Sequence, residues 1–220
     1  MRICRSFTGT VALLFAFVMA GVAQDTTKAL HIEKPKGEKV TMHSSEGKKK
    51  IGVMETSMGT IEFELYTEDA PKTTENFIKL AQKKFFDGQR VHRVAKGFVL
   101  QTGDDKSKDT KLMNEWGTGG QSIWGKPFED ELNPNTPSYK AGYKKGVLAM
   151  ANTGRPGSNT SQFFICLQDV GLPHSYTIFG KVTKGLDVVD KIGGVDIIPG
   201  MGPEDGRPKV DILVKKITIK

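Results

Sequence analysis

Cysteine is nearly absent from this chain of 220 residues, which carries only Cys4 and Cys166. Cys4 falls in a segment read below as removable, so one thiol remains and an internal disulfide framework is excluded. Stability must then come from the core. Cys166 lies in the apolar run Phe163-Phe164-Ile165-Cys166-Leu167 and reads as a small buried hydrophobe, not a nucleophile. Histidine is scarce as well. His31, His43, His92 and His174 show no HExxH or CxxC-like spacing, so no metal site is expected. There is no GxSxG elbow, and Trp116-Gly117-Thr118-Gly119-Gly120 is not followed by the Lys-Ser/Thr of a phosphate cradle. Gly154-Arg155-Pro156-Gly157 is too weak a pattern to imply a nucleotide. No cofactor is expected. Long hydrophobic runs are missing too: the one unbroken stretch, residues 11–20, is too short to cross a hydrocarbon core of roughly 30 Å comfortably.

What is present begins with charge. The chain has 32 basic and 25 acidic residues, a formal net charge of +7. The lysines are dispersed, with no arginine-rich or aromatic-interleaved stripe, which reads as a solvated basic surface and not as a nucleic-acid interface. Arg2 and Arg5 precede the apolar run 11–20, and Gly21-Val22-Ala23 follows it. Basic, apolar and small residues in that order make a secretory signal, so residues 1–23 are expected to be removed and the protein exported, to a periplasm or to the medium. After cleavage no stable membrane insertion is expected. Residues 24–50 form a polar, lysine-rich leader in which 39–43 alternate weakly. The folded domain is expected over 51–220, as a monomer.

Twenty-five glycines and 10 prolines imply many turns and favour a β-rich fold. Segments 52–56 and 60–66 read as a hairpin, with Ile61, Phe63 and Leu65 on one face. Asp69-Ala70-Pro71 starts a helix that should stop near Asp87-Gly88. Strand candidates follow at 91–94, 99–101, 146–151, 162–167, 178–182 and 210–218, with a second helix at 186–192. This pattern predicts a mainly β fold, a closed antiparallel barrel capped by two α-helices. On a period of two, one face of these strands would present Arg93, Gln101, Asn152 and Gln162 among Phe98, Val99 and Phe164. An apolar floor with a few convergent polar groups describes a small binding pocket. On the residues alone, Arg93 reads more readily as a surface strand arginine in a salt bridge, and Trp116 and Trp124 as loop packing.

Several words in the chain resemble the cyclophilin family. They are Pro71-Lys72-Thr73-Thr74-Glu75-Asn76-Phe77, His92-Arg93 with Gly97-Phe98 and Gln101, Gly117-Thr118-Gly119-Gly120, and Phe128-Glu129-Asp130-Glu131. Met150-Ala151-Asn152, Ser161-Gln162-Phe163-Phe164-Ile165 and Phe179-Gly180-Lys181-Val182 continue the series in family order. The resemblance implies an eight-stranded antiparallel barrel with two helices and a peptidyl-prolyl cis–trans isomerase that needs no cofactor and acts on proline-containing polypeptides. It implies that Arg93 is catalytic and that His92 lies beside the groove. Phe98, Val99, Phe164 and Leu172 would line the proline pocket, and Gln101, Ala151, Asn152 and Gln162 would bind the substrate backbone. Val99 stands where the family often has methionine, and Tyr176 where many members have histidine. The segment 170–177 lacks the tryptophan that precedes the leucine in cyclosporin-sensitive members and resembles bacterial cyclophilins. That implies an exported folding helper with weak cyclosporin binding. A proline-peptide binding module with little turnover is the competing reading. The loop 105–115 is longer than in compact members and has no role assigned by the sequence.

Overall fold

A computed structural model describes residues 49–220. The signal-like segment 1–23 and the leader up to residue 48, including its alternating stretch 39–43, lie outside the described residues.

The expected hairpin forms from Lys50–Thr56 (β1) and Gly59–Leu65 (β2), in register from Lys50 opposite Leu65 to Thr56 opposite Gly59. Alternation buries Ile61, Phe63 and Leu65. It leaves Glu62 and Glu64 on the other face, where they meet Lys184 and Lys49. The helix Pro71–Gln82 (α1) opens with proline in its first turn and has no capping side chain of its own. The Glu131 carboxylate supplies that cap from across the fold, accepting from the Lys72 and Thr73 amides at 3.0 and 2.8 Å. The helix ends before the expected stop at Asp87-Gly88. Lys84 adopts φ +57°, and the turn packs Phe86 and part of Phe85 onto the core.

The remaining strands are Gln89–Arg90 (β3), Arg93–Ala95 (β4), Val99–Thr102 (β5), Val147–Met150 (β6), Phe163–Cys166 (β7), Ile178–Lys184 (β8), Ile197–Gly202 (β9), Asp205–Pro208 (β10) and Leu213–Ile219 (β11). Helices Pro137–Ala141 (α2) and Leu186–Gly193 (α3) complete the set. All strand pairs are antiparallel, in the order β3-β11-β1-β2-β8-β6-β7-β5-β4-β10-β9.

This corrects the expected closed barrel of eight strands with two helices. The sheet is an open order of eleven, and the described residues hold three α-helices. β3, at one edge of this order, and β4, near the other, are successive in the chain, separated only by Val91 and His92, so the sheet curls round to bring them together. There the pairing passes from one neighbour to another: the Val91 amide donates to Ile212 and the His92 amide to Gln101. The ladder is interrupted at that handover. The hairpin β9–β10, rich in proline and glycine and outside the expected strands, extends the edge beside β4. Proline is tolerated there because an edge strand need not donate on both sides.

Alternation along β5, β7 and β6 gives the sheet two apolar faces. Leu100, Leu148, Phe163 and Ile165 point into the main core. There Phe77 from α1 sits among Phe63, Phe86, Phe163 and Phe179, with ring centroids 5.0–5.7 Å apart. Val99, Ala149, Phe164 and Cys166 point the other way, into a second apolar cluster with Tyr143 and Ile178. The functional site lies over that second cluster. Burial pushes the Cys166 thiol up to about 12, with Asp169 adding to the effect, so it stays protonated and packs as a hydrophobe.

Among the described residues no helix is long and apolar enough to cross a membrane. Phe163 touches the centre of the aromatic core and is fully buried. Phe163→Ala is expected to lower unfolding stability by about 3–5 kcal/mol in denaturant titration. A cost under about 1 kcal/mol would remove Phe163 from the core assignment.

Candidate active site

Strand register assembles the site in rows. Arg93 of β4 stands opposite Gln101 of β5, Gln101 opposite Phe164 of β7, and Phe164 opposite Ala149 of β6. One step along, Ala95, Val99 and Cys166 form a second row. On the other side the Ala151 amide donates to the Gln162 carbonyl and begins a third. Gly103 ends β5 with φ +94°, and a side chain there would collide with the Ser161 carbonyl. Glycine at this point lets β5 and the entry to β7 approach closely.

Over these rows lies a depression of about 110 Å³ lined by Arg93, Phe98, Val99, Gln101, Ala151, Asn152, Phe164, Leu172 and Tyr176. It is far smaller than the roughly 300–1,000 Å³ of sites for drug-sized ligands, and suits a single ring or side chain. Its floor is Val99 and Phe164, both nearly inaccessible. Tyr176 meets Phe164 edge to face at 5.5 Å. The wall formed by segment 170–177 is fixed from behind: the Tyr143 hydroxyl donates to the Tyr176 carbonyl at 2.9 Å and accepts from its amide at 3.1 Å. Asn152 is tied to the same wall, its amide donating to the Ser175 carbonyl at 2.8 Å.

The polar side of the depression is a relay. Arg93 donates from Nε and Nη2 to the two carboxylate oxygens of Asp205, at 2.8 and 2.6 Å. Its Nη1 donates to Gln101 Oε1 at 3.1 Å. Gln101 Nε2 donates to Gln162 Oε1 at 2.8 Å, and Gln162 Nε2 donates to the carbonyls of Gly117 and Gly119. Each amide has one orientation that satisfies both neighbours, so the guanidinium is held from two sides.

The structure thus gathers all the expected site residues except two around the depression. Gln162 is buried one position behind it and reaches it through Gln101. His92 does not line it. The alternation that turns Arg93 outward buries His92 behind the strand, against Gly117. Neither ring nitrogen has a hydrogen bond of good geometry. Burial lowers its pKa to about 4; the Asp104 carboxylate opposes this, the Arg93 charge adds to it, and the Gln162 amide beside the ring favours the charged form weakly.

Asp205 was missed by sequence reading, because nothing in Pro203-Glu204-Asp205-Gly206 marks a residue aimed at a site more than a hundred positions away. The loop 105–115 forms two 3-10 turns whose starts are capped by Asp104 and Asp109. The Trp116 ring then meets the guanidinium groups of Arg90 and Arg207, at 5.4 and 5.7 Å. Trp124 packs on Phe128. Neither tryptophan enters the depression. Among the described residues no group of three or more His, Cys, Asp or Glu side chains is placed to hold a metal ion.

A curled antiparallel sheet with an arginine over a small apolar pocket defines the fold class, and comparison with known proteins defines the family. The family described as "Cyclophilin type peptidyl-prolyl cis-trans isomerase/CLD" matches residues 51–219. Human peptidyl-prolyl cis-trans isomerase-like 1 is 44% identical over 164 residues, covering 74% of this chain and 88% of that protein. Mouse peptidylprolyl isomerase domain and WD repeat-containing protein 1 is 36% identical over 201 residues, 89% of this chain, which spans only 28% of that longer protein. The crystal structure of a Cryptosporidium parvum cyclophilin type peptidyl-prolyl cis-trans isomerase superposes with a TM-score of 0.67 at 30% identity, over 78% of this chain and 98% of that one. The same protein in the presence of the dipeptide Ala-Pro gives 0.66 at 29%. This chain belongs to the cyclophilin-type peptidyl-prolyl cis-trans isomerase family. The relatives named here are eukaryotic, so they lend no support to the bacterial character read from segment 170–177.

A histidine kept neutral by burial binds its proton more readily in the unfolded chain. Its contribution to stability is complete above about pH 6.5 and is lost as pH falls toward 4, on the order of 3 kcal/mol in all. Urea titrations at pH 7 and 4.5 should show a smaller acid-induced loss for His92→Gln than for the parent. Equal losses would mean that His92 titrates normally.

Proposed function

We propose that this chain accelerates rotation about Xaa-Pro peptide bonds, with Arg93 as the catalytic residue. The observation that carries this reading is a guanidinium, held by Asp205 and Gln101, at the rim of a proline-sized apolar depression.

Rotation about an amide meets a barrier of roughly 18–20 kcal/mol because conjugation is lost in the twisted state. No bond to carbon is made or broken, so catalysis needs only tighter binding of the twisted peptide than of either planar isomer. In the twisted state the prolyl nitrogen pyramidalises and its lone pair becomes a hydrogen-bond acceptor. A guanidinium has five N–H groups. Three of those on Arg93 are engaged by Asp205 and Gln101, which leaves one on Nη1 and one on Nη2 to donate. Phe98, Val99, Phe164 and Leu172 hold the proline ring. Gln101, Ala151 and Asn152 hold the flanking backbone, so that rotation is confined to one bond. Tyr176 braces the wall, and Gln162 acts through Gln101. His92 supports the strand from behind and does not touch substrate. Val99 is smaller than a methionine would be, which leaves more room for the ring over the floor of the depression.

The substrates are proline-containing polypeptides, and the physiological role is to assist the folding of exported proteins. The location rests on the order of residues in 1–23 alone. The chain acts as a monomer, without cofactor or nucleic acid. Mass spectrometry of the protein from its own cells should find a mature N-terminus at Gln24. An intact Met1 segment in the purified protein would refute export by a cleaved signal.

Arg93→Ala should cut the cis-to-trans rate of a short Xaa-Pro peptide by about 100-fold or more while peptide affinity stays within about threefold. Equal rates for parent and variant, both near the uncatalysed value, would leave a proline-peptide binding module as the better account.

A further inference from the structure

We propose that Asp205 is a positioning residue for the isomerase reaction, acting through Arg93; this rests on the isomerase reading above. The carboxylate meets the Nε–Nη2 edge of the guanidinium in a two-point contact of 2.8 and 2.6 Å. Such parallel bonds fix the plane of the fork as well as its place. Both side chains are about three-quarters buried, at 26% and 22% exposure, so water screens the pair less than it would at the surface.

The hairpin β9–β10 is built to deliver this carboxylate. Asp205 pairs with Ala95, which puts it diagonally across from Arg93 on the neighbouring strand, within reach of a long side chain. The Lys96 amide donates to the Glu204 carbonyl at 2.9 Å and ties the hairpin end to β4. A side chain at Gly206 would collide with the Ile198 carbonyl, so glycine next to Asp205 lets the two strands of the hairpin close on each other. The other charges nearby have partners of their own. Lys96 faces Glu204 and Arg207 faces Asp211, so among the described residues Arg93 is the single cation paired with Asp205.

The acceptor in the twisted state is the lone pair of an uncharged nitrogen. Direction of the N–H bonds therefore matters more to its stabilisation than net positive charge, and a carboxylate that fixes direction helps although it offsets charge. A freely rotating arginine would have to lose that freedom in each turnover.

The test uses the full chain, with turnover and affinity for one Xaa-Pro peptide both read by NMR exchange. Asp205→Asn keeps the shape and removes the carboxylate. It should lower kcat by about 10-fold or more while peptide affinity stays within about twofold. In an Arg93→Lys background, which has no fork to orient, the same substitution should change kcat by less than about twofold. Unchanged kcat, a parallel loss of affinity, or an equal loss of kcat in the Arg93→Lys background would each overturn the proposal. A parent chain with no acceleration would instead overturn the isomerase reading itself.

Discussion

The site depends on the antiparallel pairing of β5 with β4 on one side and β7 on the other. Because side chains alternate at every residue, this register decides which of them meet water and which meet the core. With Arg93 opposite Gln101 and Gln101 opposite Phe164, a cation, an amide and an aromatic ring fall in one row on one face. A slip of one residue would turn Arg93 inward and bring Val94 to the pocket. The slip is opposed because it would take Val94 out of the main core, where it packs with Leu100, Phe163 and Ile165, and bury the Arg93 charge in its place. The energy that folds the protein and the geometry that places its polar groups are therefore the same interaction seen from two faces.

Having two apolar faces is what makes the pocket. The inward face closes over α1 and its phenylalanine cluster, which replaces disulfides as the source of stability. The outward face is covered only in part, by Tyr143 and the segment carrying Leu172 and Tyr176. The uncovered remainder is the depression, an apolar surface whose rim is polar because strands end there. Against such a floor, hydrogen bonds and charges interact more strongly than in bulk water, so the orientation of Arg93 carries more weight than its sign alone.

The relay from Asp205 through Arg93, Gln101 and Gln162 to the Gly117 and Gly119 carbonyls joins four separate segments of chain. Trp116, in contact with the guanidinium groups of Arg90 and Arg207, fixes the segment that bears those carbonyls. The loop 105–115 thus anchors one end of the network, and the hairpin β9–β10 supplies the other.

The sequence by itself determined the hairpin at the start of the domain, the helix beginning at Pro71, most strand positions, and the members of the pocket. These follow from local periodicity, proline and glycine chemistry, and motif words a few residues long. The tertiary structure alone decided the open eleven-strand order, the early end of α1 at Gln82, the cap that Glu131 lends that helix, and the partnership of Asp205 with Arg93. Each of these joins residues far apart in the chain, or turns on a backbone conformation imposed by packing. His92 and Arg93 show the division at its smallest. Their adjacency was legible as a motif, but only the completed sheet buried one and presented the other, because burial belongs to the face and not to the residue.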